Sequence, residues 1–210
     1  YSDGTIRVTD LSPWTLTGII DDNQSKVITK LNPVHLTDLT MQIGKISYGS
    51  LQVSNEGRLT TNQTILGVNK YSLGELMIDG ASQWREISSL VVGHQGEASI
   101  KMVGEGEIMA PFIQVANEKG SLGAITIETD LPAKVISTGD LIVANKGEGE
   151  FIQNGGSVSV NQLILAQNSE GRGSYKMIDG SLQTNRLSKG LGIGELKLEG
   201  RSEERFSRNA

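Results

Sequence analysis

A period close to 25 residues runs through most of this chain and restricts its architecture more than any local motif. Aligning the first apolar run of each unit gives starts at Leu51, Leu76, Ile100, Ile125, Phe151, Tyr175 and Leu196. Successive separations are 25, 24, 25, 26, 24 and 21 residues. The runs alternate: Leu51/Val53, Leu76/Ile78, Ile100/Met102, Ile125/Ile127, Tyr175/Met177 and Leu196/Leu198, with Phe151/Gln153 as the one pair whose second member is polar. Alternate side chains of a strand share a face, so each run supplies two inward groups.

A second run follows in each unit and ends in a small residue: Leu66-Gly67, Val92-Gly93, Val115-Ala116, Val143-Ala144, Leu165-Ala166 and Ile193-Gly194. Between the runs lies one further apolar position, occupied by Leu59, Trp84, Ile108, Val135, Val158 and Leu182. Three short strands in about 25 residues make one coil of a parallel β-helix. A propeller blade needs roughly 40 residues, and no leucine-rich-repeat motif is present. Ile78, Val92, Ile127, Val143, Leu165 and Met177 are expected to point inward and stack from coil to coil.

Residues 1–49 are less regular and are expected to form imperfect coils or a cap. Strands are expected at Thr5–Thr9, Leu16–Ile20, Val27-Ile28 and Leu36–Ile46, with a polar turn at Asp21–Ser25 and a break at Asn32-Pro33. Regular coils occupy 50–200, and the charged stretch 201–210 is expected to be a frayed end. In the unit beginning at Ile125, Thr129-Asp130-Leu131-Pro132 replaces the usual Gly turn. Pro132 has no amide proton for a ladder, so a protruding loop is expected there.

The net charge is −5 with no basic block, which argues against a nucleic-acid partner. No apolar run approaches the 18 residues or so of a membrane-spanning helix. The chain begins at Tyr1 without a signal-peptide pattern and reads as a fragment or a processed product. Cysteine is absent, which excludes a disulfide framework.

The unit Gly74-Glu-Leu-Met-Ile-Asp-Gly-Ala-Ser-Gln-Trp84 followed by Leu90-Val-Val-Gly-His-Gln-Gly96 resembles the passenger-associated repeats of bacterial autotransporters. Ile178-Asp-Gly-Ser-Leu182 and Asn154-Gly-Gly-Ser-Val158 echo it. The resemblance covers roughly 50–200. It implies an all-β, right-handed parallel β-helix, exposed at the surface of a Gram-negative bacterium or secreted by type V export. It also implies an outer-membrane β-barrel C-terminal to the passenger in the full-length protein, although no series of membrane-strand segments closes this chain.

The histidines are His35 and His94. With no cysteine, they offer little for zinc. His94 falls in a row reading Val68, His94, Asn117, Asn145, Gln167, where a structural polar ladder is expected. A polysaccharide lyase would need clustered carboxylates for Ca²⁺ and a base. Asp79 and Asp179 sit at turns that favour Asp on their own account, and Arg58, Arg85 and Arg186 lack an acidic cluster. Glu97, Glu105 and Glu107, or Glu148 and Glu150, are the nearest approach to a glycosidase pair, and they read as a solvated face. Trp84 occupies a position held elsewhere by aliphatic residues, which favours burial; on the outer face it would be a platform for sugar or protein. The expectation is a non-catalytic stalk or adhesive segment without a cofactor, binding through Trp84, Asp130 and Pro132. Its partners would be a host or neighbouring-cell protein or glycan, self-association included. A polysaccharide-degrading enzyme and a phage-type receptor-binding β-helix are the alternatives.

Overall fold

A computed structural model describes residues 5–7, 18–31, 33–199 and 203–206. It is all-β: no helix occurs among the described residues, and the strands form one 17-stranded sheet in which every pairing is parallel. The strands are β1 (Thr5–Arg7), β2 (Ile19–Ile20), β3 (Gln24–Ile28), β4 (Val34–Ile43), β5 (Tyr48–Val53) and β6 (Arg58–Leu66). There follow β7 (Leu73–Ile78), β8 (Gln83–Val92), β9 (Glu97–Met102), β10 (Glu107–Ala110), β11 (Phe112–Val115) and β12 (Leu122–Glu128). The last are β13 (Lys134–Val143), β14 (Glu148–Leu165), β15 (Arg172–Lys189), β16 (Ile193–Leu198) and β17 (Glu203–Phe206).

Each coil has three faces. A parallel partner can be reached only after a long crossover, and here the crossover is the remainder of the coil. The first face stacks β3, β5, β7, β9, β12, the starts of β14 and β15, and β16. The long strands β4, β6, β8 and β13 bend midway, at shifts of register such as Thr61/Gln63 and Ser137/Asp140, and so supply the second and third faces. In one coil the bend separates β10 from β11.

The observed register matches the expected one over most of its length. Leu51, Leu76, Ile100, Ile125, Phe151, Tyr175 and Leu196 are consecutive Cα partners, as are Leu59, Trp84, Ile108, Val135, Val158 and Leu182. Ile78, Val92, Ile127, Val143, Leu165 and Met177 all lie in the core. Phe151 and Tyr175 stack with ring centroids 4.8 Å apart. Gln153, polar in an apolar row, is fully buried and satisfied. Its Oε1 accepts from Tyr175 Oη at 2.7 Å, and its Nε2 donates to Ser181 O at 3.0 Å and Gly156 O at 3.2 Å.

Four expectations need correction. Regular coils begin well before residue 50: β3 and β4 are in register with β5 and β6, and Ile28, Val34, Leu36, Met41 and Ile43 join the core. The third strand there ends at Ile43 rather than Ile46, because Lys45 to Ser47 turn to bind Asp21. At the other end, Ile193-Gly194 does not close a third face. Arg172, Gly173 and Tyr175 pair with Ile193, Gly194 and Leu196, so the dipeptide starts a first-face strand. The third-face row ends at Leu187 and Lys189, and Ile193 points outward, 61% exposed. Finally, residues 203–206 are not frayed but pair with Ser181 to Thr184 as another rung of the second face. The expected strand at Thr5–Thr9 is described only as β1, which pairs with Ser25 to Val27. Of Leu16–Ile20 only Gly18 to Ile20 are described.

The corner from third to first face explains the small residues. Gly67, Gly93, Ala116, Ala144 and Ala166 all have positive φ, between 52° and 77°. Such a conformation suits Gly and is tolerated by a small side chain better than by a β-branched one. At one corner a polar residue fastens one coil to the next. Asp21 is buried. Its carboxylate accepts from the amides of Lys45, Ile46 and Ser47 at 2.9–3.1 Å and from Ser47 Oγ at 3.2 Å. Burial pushes its pKa up, but the amides of Ser47 and Ile46 outweigh that and leave it below the ordinary value.

Candidate functional site

The repeat leaves few places where a side chain is free of the stack, and the expected binding residues divide on that ground. Trp84 is 1% exposed and lies in the lumen, stacked between Leu59 and Ile108. Its strand position faces inward, so the indole cannot serve as an external platform. Asp130 and Pro132 are exposed at the corner after β12, together with Leu131, which is 49% exposed. The flanks of that loop are fixed. Thr129 N donates to Asn154 O at 3.0 Å, Thr129 Oγ1 donates to Gly104 O at 3.0 Å and accepts from Leu131 N at 3.0 Å, and Ala133 N donates to Leu131 O at 2.8 Å. The loop tip is thus an ordered, exposed Asp-Leu-Pro segment carried on a rigid coil. By contrast, Asp21 in the polar turn Asp21–Ser25 is consumed by its backbone partners, and Asp22 N donates to Ser47 Oγ at 2.9 Å.

The expected polar ladder exists with one change of membership. Asn117 Oδ1 accepts from Asn145 Nδ2 at 3.0 Å, so Asn117 Nδ2 is the donor to His94 Nδ1 at 2.7 Å. Asn168 Nδ2 donates to Asn145 Oδ1, so the next rung is Asn168 rather than Gln167. The backbone stays in step, with Gln167 N donating to Ala144 O at 2.9 Å, so Asn168 reaches Asn145 from one residue further along the coil. His94 is therefore a structural acceptor at one end of an amide ladder.

The acidic residues suspected of pairing are split between faces. Glu97 lies on the outer side of the first face, whereas Glu107 lies on the second beside Gln83 and Lys134. Glu148 and Glu150 share the outer first face, two residues apart on β14. With Glu97, Glu195 and Arg172 they line a shallow trough of about 520 Å³ over the small residues Ser99, Ala124 and Ser174. Arg172 Nε lies 3.9 Å from Glu148 Oε1, and both side chains are mostly exposed. Asp179 accepts from Gly180 N at 2.7 Å, the turn role expected of it, whereas Asp79 accepts from the Gln52 side chain of the preceding coil, Nε2 at 2.6 Å. Arg58 and Arg85 occupy different rows of the second face, and Arg186 belongs to the third. Among the described residues, no three His, Asp or Glu side chains converge as metal ligands.

One group escaped sequence reasoning. Glu86 shares the inward face of β8 with Trp84 and is 2% exposed. Neither carboxyl oxygen has a hydrogen-bond partner at ordinary geometry. Beside it, Trp84 Nε1 donates to Thr61 Oγ1 at 3.3 Å, and Thr61 Oγ1 and Thr64 Oγ1 are 3.1 Å apart. Burial pushes the Glu86 pKa up to about 7, although the nearby polar groups of Thr64, Thr61 and Trp84 pull the other way. The available signal was simple: two residues beyond an inward Trp on one strand, a side chain must face inward too.

No family model matches the chain, and no solved structure matches it. The chain is similar to the protein named "Uncharacterized lipoprotein YdeK" of Escherichia coli (strain K12), at 23% identity over 144 residues. That stretch is 63% of this chain but only 11% of the lipoprotein, so the chain spans a small fraction of the relative it matches.

Proposed function

We propose that this chain is a non-catalytic, adhesive or stalk-forming segment of an autotransporter-type passenger at a Gram-negative cell surface, where it contacts a host or neighbouring cell. The observation that carries the reading is the division of the coil. The inward rows are filled by stacked apolar groups, and the polar corners are tied from coil to coil, while the Asp130-Leu131-Pro132 tip stands exposed on an ordered base. A solenoid of this kind presents long faces for contact and does not depend on chemistry for its stability. The similarity to a protein named a lipoprotein supports a membrane-attached or surface setting. The ligand class that fits the tip is a protein or glycan surface able to cover one aliphatic side chain beside a carboxylate.

The test replaces Asp130, Leu131 and Pro132 together by Ser, leaving Thr129 and Ala133 in place because both are bound into the coil. Cells displaying the variant are expected to adhere or self-associate several-fold less than wild type, at equal surface display and an unchanged melting temperature. Undiminished adhesion would remove the loop from the reading. Turnover of a polysaccharide by the purified chain would overturn the non-catalytic reading as a whole.

A further inference from the structure

We propose that Glu86 is a proton-linked element of the coil stack: the native solenoid holds it as the neutral acid, and its ionisation weakens the stack around Trp84, so that the segment is more stable in mildly acidic than in alkaline medium. This stands on where the side chain is. A carboxylate inside a lumen needs donors or a counter-charge, and an isolated buried charge is strongly disfavoured. Glu86 has no counter-charge and no donor at ordinary hydrogen-bond geometry. The hydroxyls of Thr61 and Thr64 beside it lie 3.1 Å from each other, and Thr61 also accepts from Trp84 Nε1.

The strands packed against β8 offer no compensating charge. From β6 the inward side chains are Leu59, Thr61, Thr64 and Leu66; from β10 they are Ile108 and Ala110; from β11 they are Ile113 and Val115. None of them titrates. Across the lumen, β7 and β9 present Leu76, Ile78, Ile100 and Met102, which are equally apolar. Arg85 and Ile87 flank Glu86 on its own strand, but Arg85 points outward and cannot neutralise it.

The position is also unusual within its own row. The inward residues at this corner are Leu36, Thr61, Glu86, Ala110, Ser137, Val160 and Thr184. The hydroxyl members reach backbone carbonyls left open by the bend: Ser137 Oγ donates to Pro111 O at 3.1 Å and Thr184 Oγ1 to Arg186 O at 2.9 Å. A hydroxyl therefore satisfies the corner in those coils. Only in the coil of Glu86 is the group ionisable.

The sign follows from linkage. The native acid holds its proton up to about pH 7, whereas in the unfolded chain it ionises near the ordinary value of 4.5. Below the unfolded value both states are protonated and the group has no effect on folding. As pH rises through the window the unfolded state is favoured, and above about 7 the effect is complete. The gap between 4.5 and about 7 corresponds to roughly a 300-fold rise in the unfolding equilibrium constant.

The experiment is urea unfolding of the chain from pH 4 to pH 8, comparing wild type with Glu86→Gln and Glu86→Thr. Thr occupies the same row at Thr61 and Thr184, so it provides a second variant should Gln disturb packing. The unfolding constant of the wild type is expected to rise with pH at least 30-fold more than that of either folded variant, with the excess confined between about pH 4.5 and 7.5. Parallel pH profiles for wild type and a folded variant would overturn the proposal. So would an excess that appears below pH 4 instead.

Discussion

Replacing Val143 by Asp is expected to destabilise the chain by several kcal/mol and to lower its melting temperature by well over 10 °C, or to prevent folding. Val143 is fully buried in the third-face row, with Val115 on one side and Leu165 on the other. The new carboxylate would have apolar neighbours above and below, with no amide cluster of the kind that holds Asp21. Val143→Ala is the milder comparison and is expected to cost about 1–3 kcal/mol through lost contacts alone. The measurement is thermal unfolding by circular dichroism. A Val143→Asp protein that melts at the wild-type temperature would mean that the register is wrong by one residue, which would turn this row to the solvent.

The second large effect is expected from Gly173. This residue faces inward near the start of β15, where the first face passes close to the end of the preceding third face. A Cβ placed on it would lie 2.1 Å from Val143 O and 2.8 Å from Ala166 N. Those two atoms are themselves joined by a coil-to-coil hydrogen bond of 2.9 Å, so a side chain would have to break that bond to fit. Gly173→Val is expected to cost at least about 3 kcal/mol, near the upper end for overpacking, since backbone must move rather than a flexible side chain. The natural control is Ala98, which occupies the same row between Gly74 and Gly123 and is buried there. Ala98→Gly is expected to change stability by only about 1 kcal/mol, and thermal unfolding of both variants checks the contrast. If Gly173→Val were neutral, the corner would be wider than described.

The coil was legible because its signal is redundant. The first-face pairs and the apolar position of the second face recur in nearly every unit, so an error in one coil is corrected by its neighbours. Legibility failed where that redundancy ran out. Near the N-terminus, a strand is expected at Val27-Ile28, but Lys26 holds the inward position that Leu51 fills in the next coil, which hides its register with the regular coils. Near the C-terminus, Leu191 and Ile193 alternate like a third-face strand, yet the coil is short and Ile193 already belongs to the next first face. Apolar alternation alone does not say which face of the coil a strand forms.

The candidate site was less legible, for a different reason. The exposed Asp130-Leu131-Pro132 tip was marked by its departure from the repeat. Trp84 could not be placed by residue type, because its size suits either a contact platform or the widest part of the lumen; only its row decided the matter. Glu86 was overlooked because Glu on a strand ordinarily signals the solvated side. Its parity with Trp84 was the stronger signal, since it depends on chain geometry rather than on residue preference.

The coil stack itself is tested most directly by distances between spin labels, for which the absence of native cysteine leaves the chain well suited. Ser50 and Ser174 lie in one row of the first face, five coil steps apart. Thr60 and Gln183 lie in a row of the second face, also five steps apart. Rows that run along one solenoid axis must give nearly equal separations, each about 24 Å for steps of ~4.8 Å, broadened by the label arms. Pulsed electron–electron resonance on the two doubly labelled proteins is expected to return that common distance. Separations that differ by more than about 10 Å, or one beyond about 40 Å, would contradict a continuous stack of parallel coils.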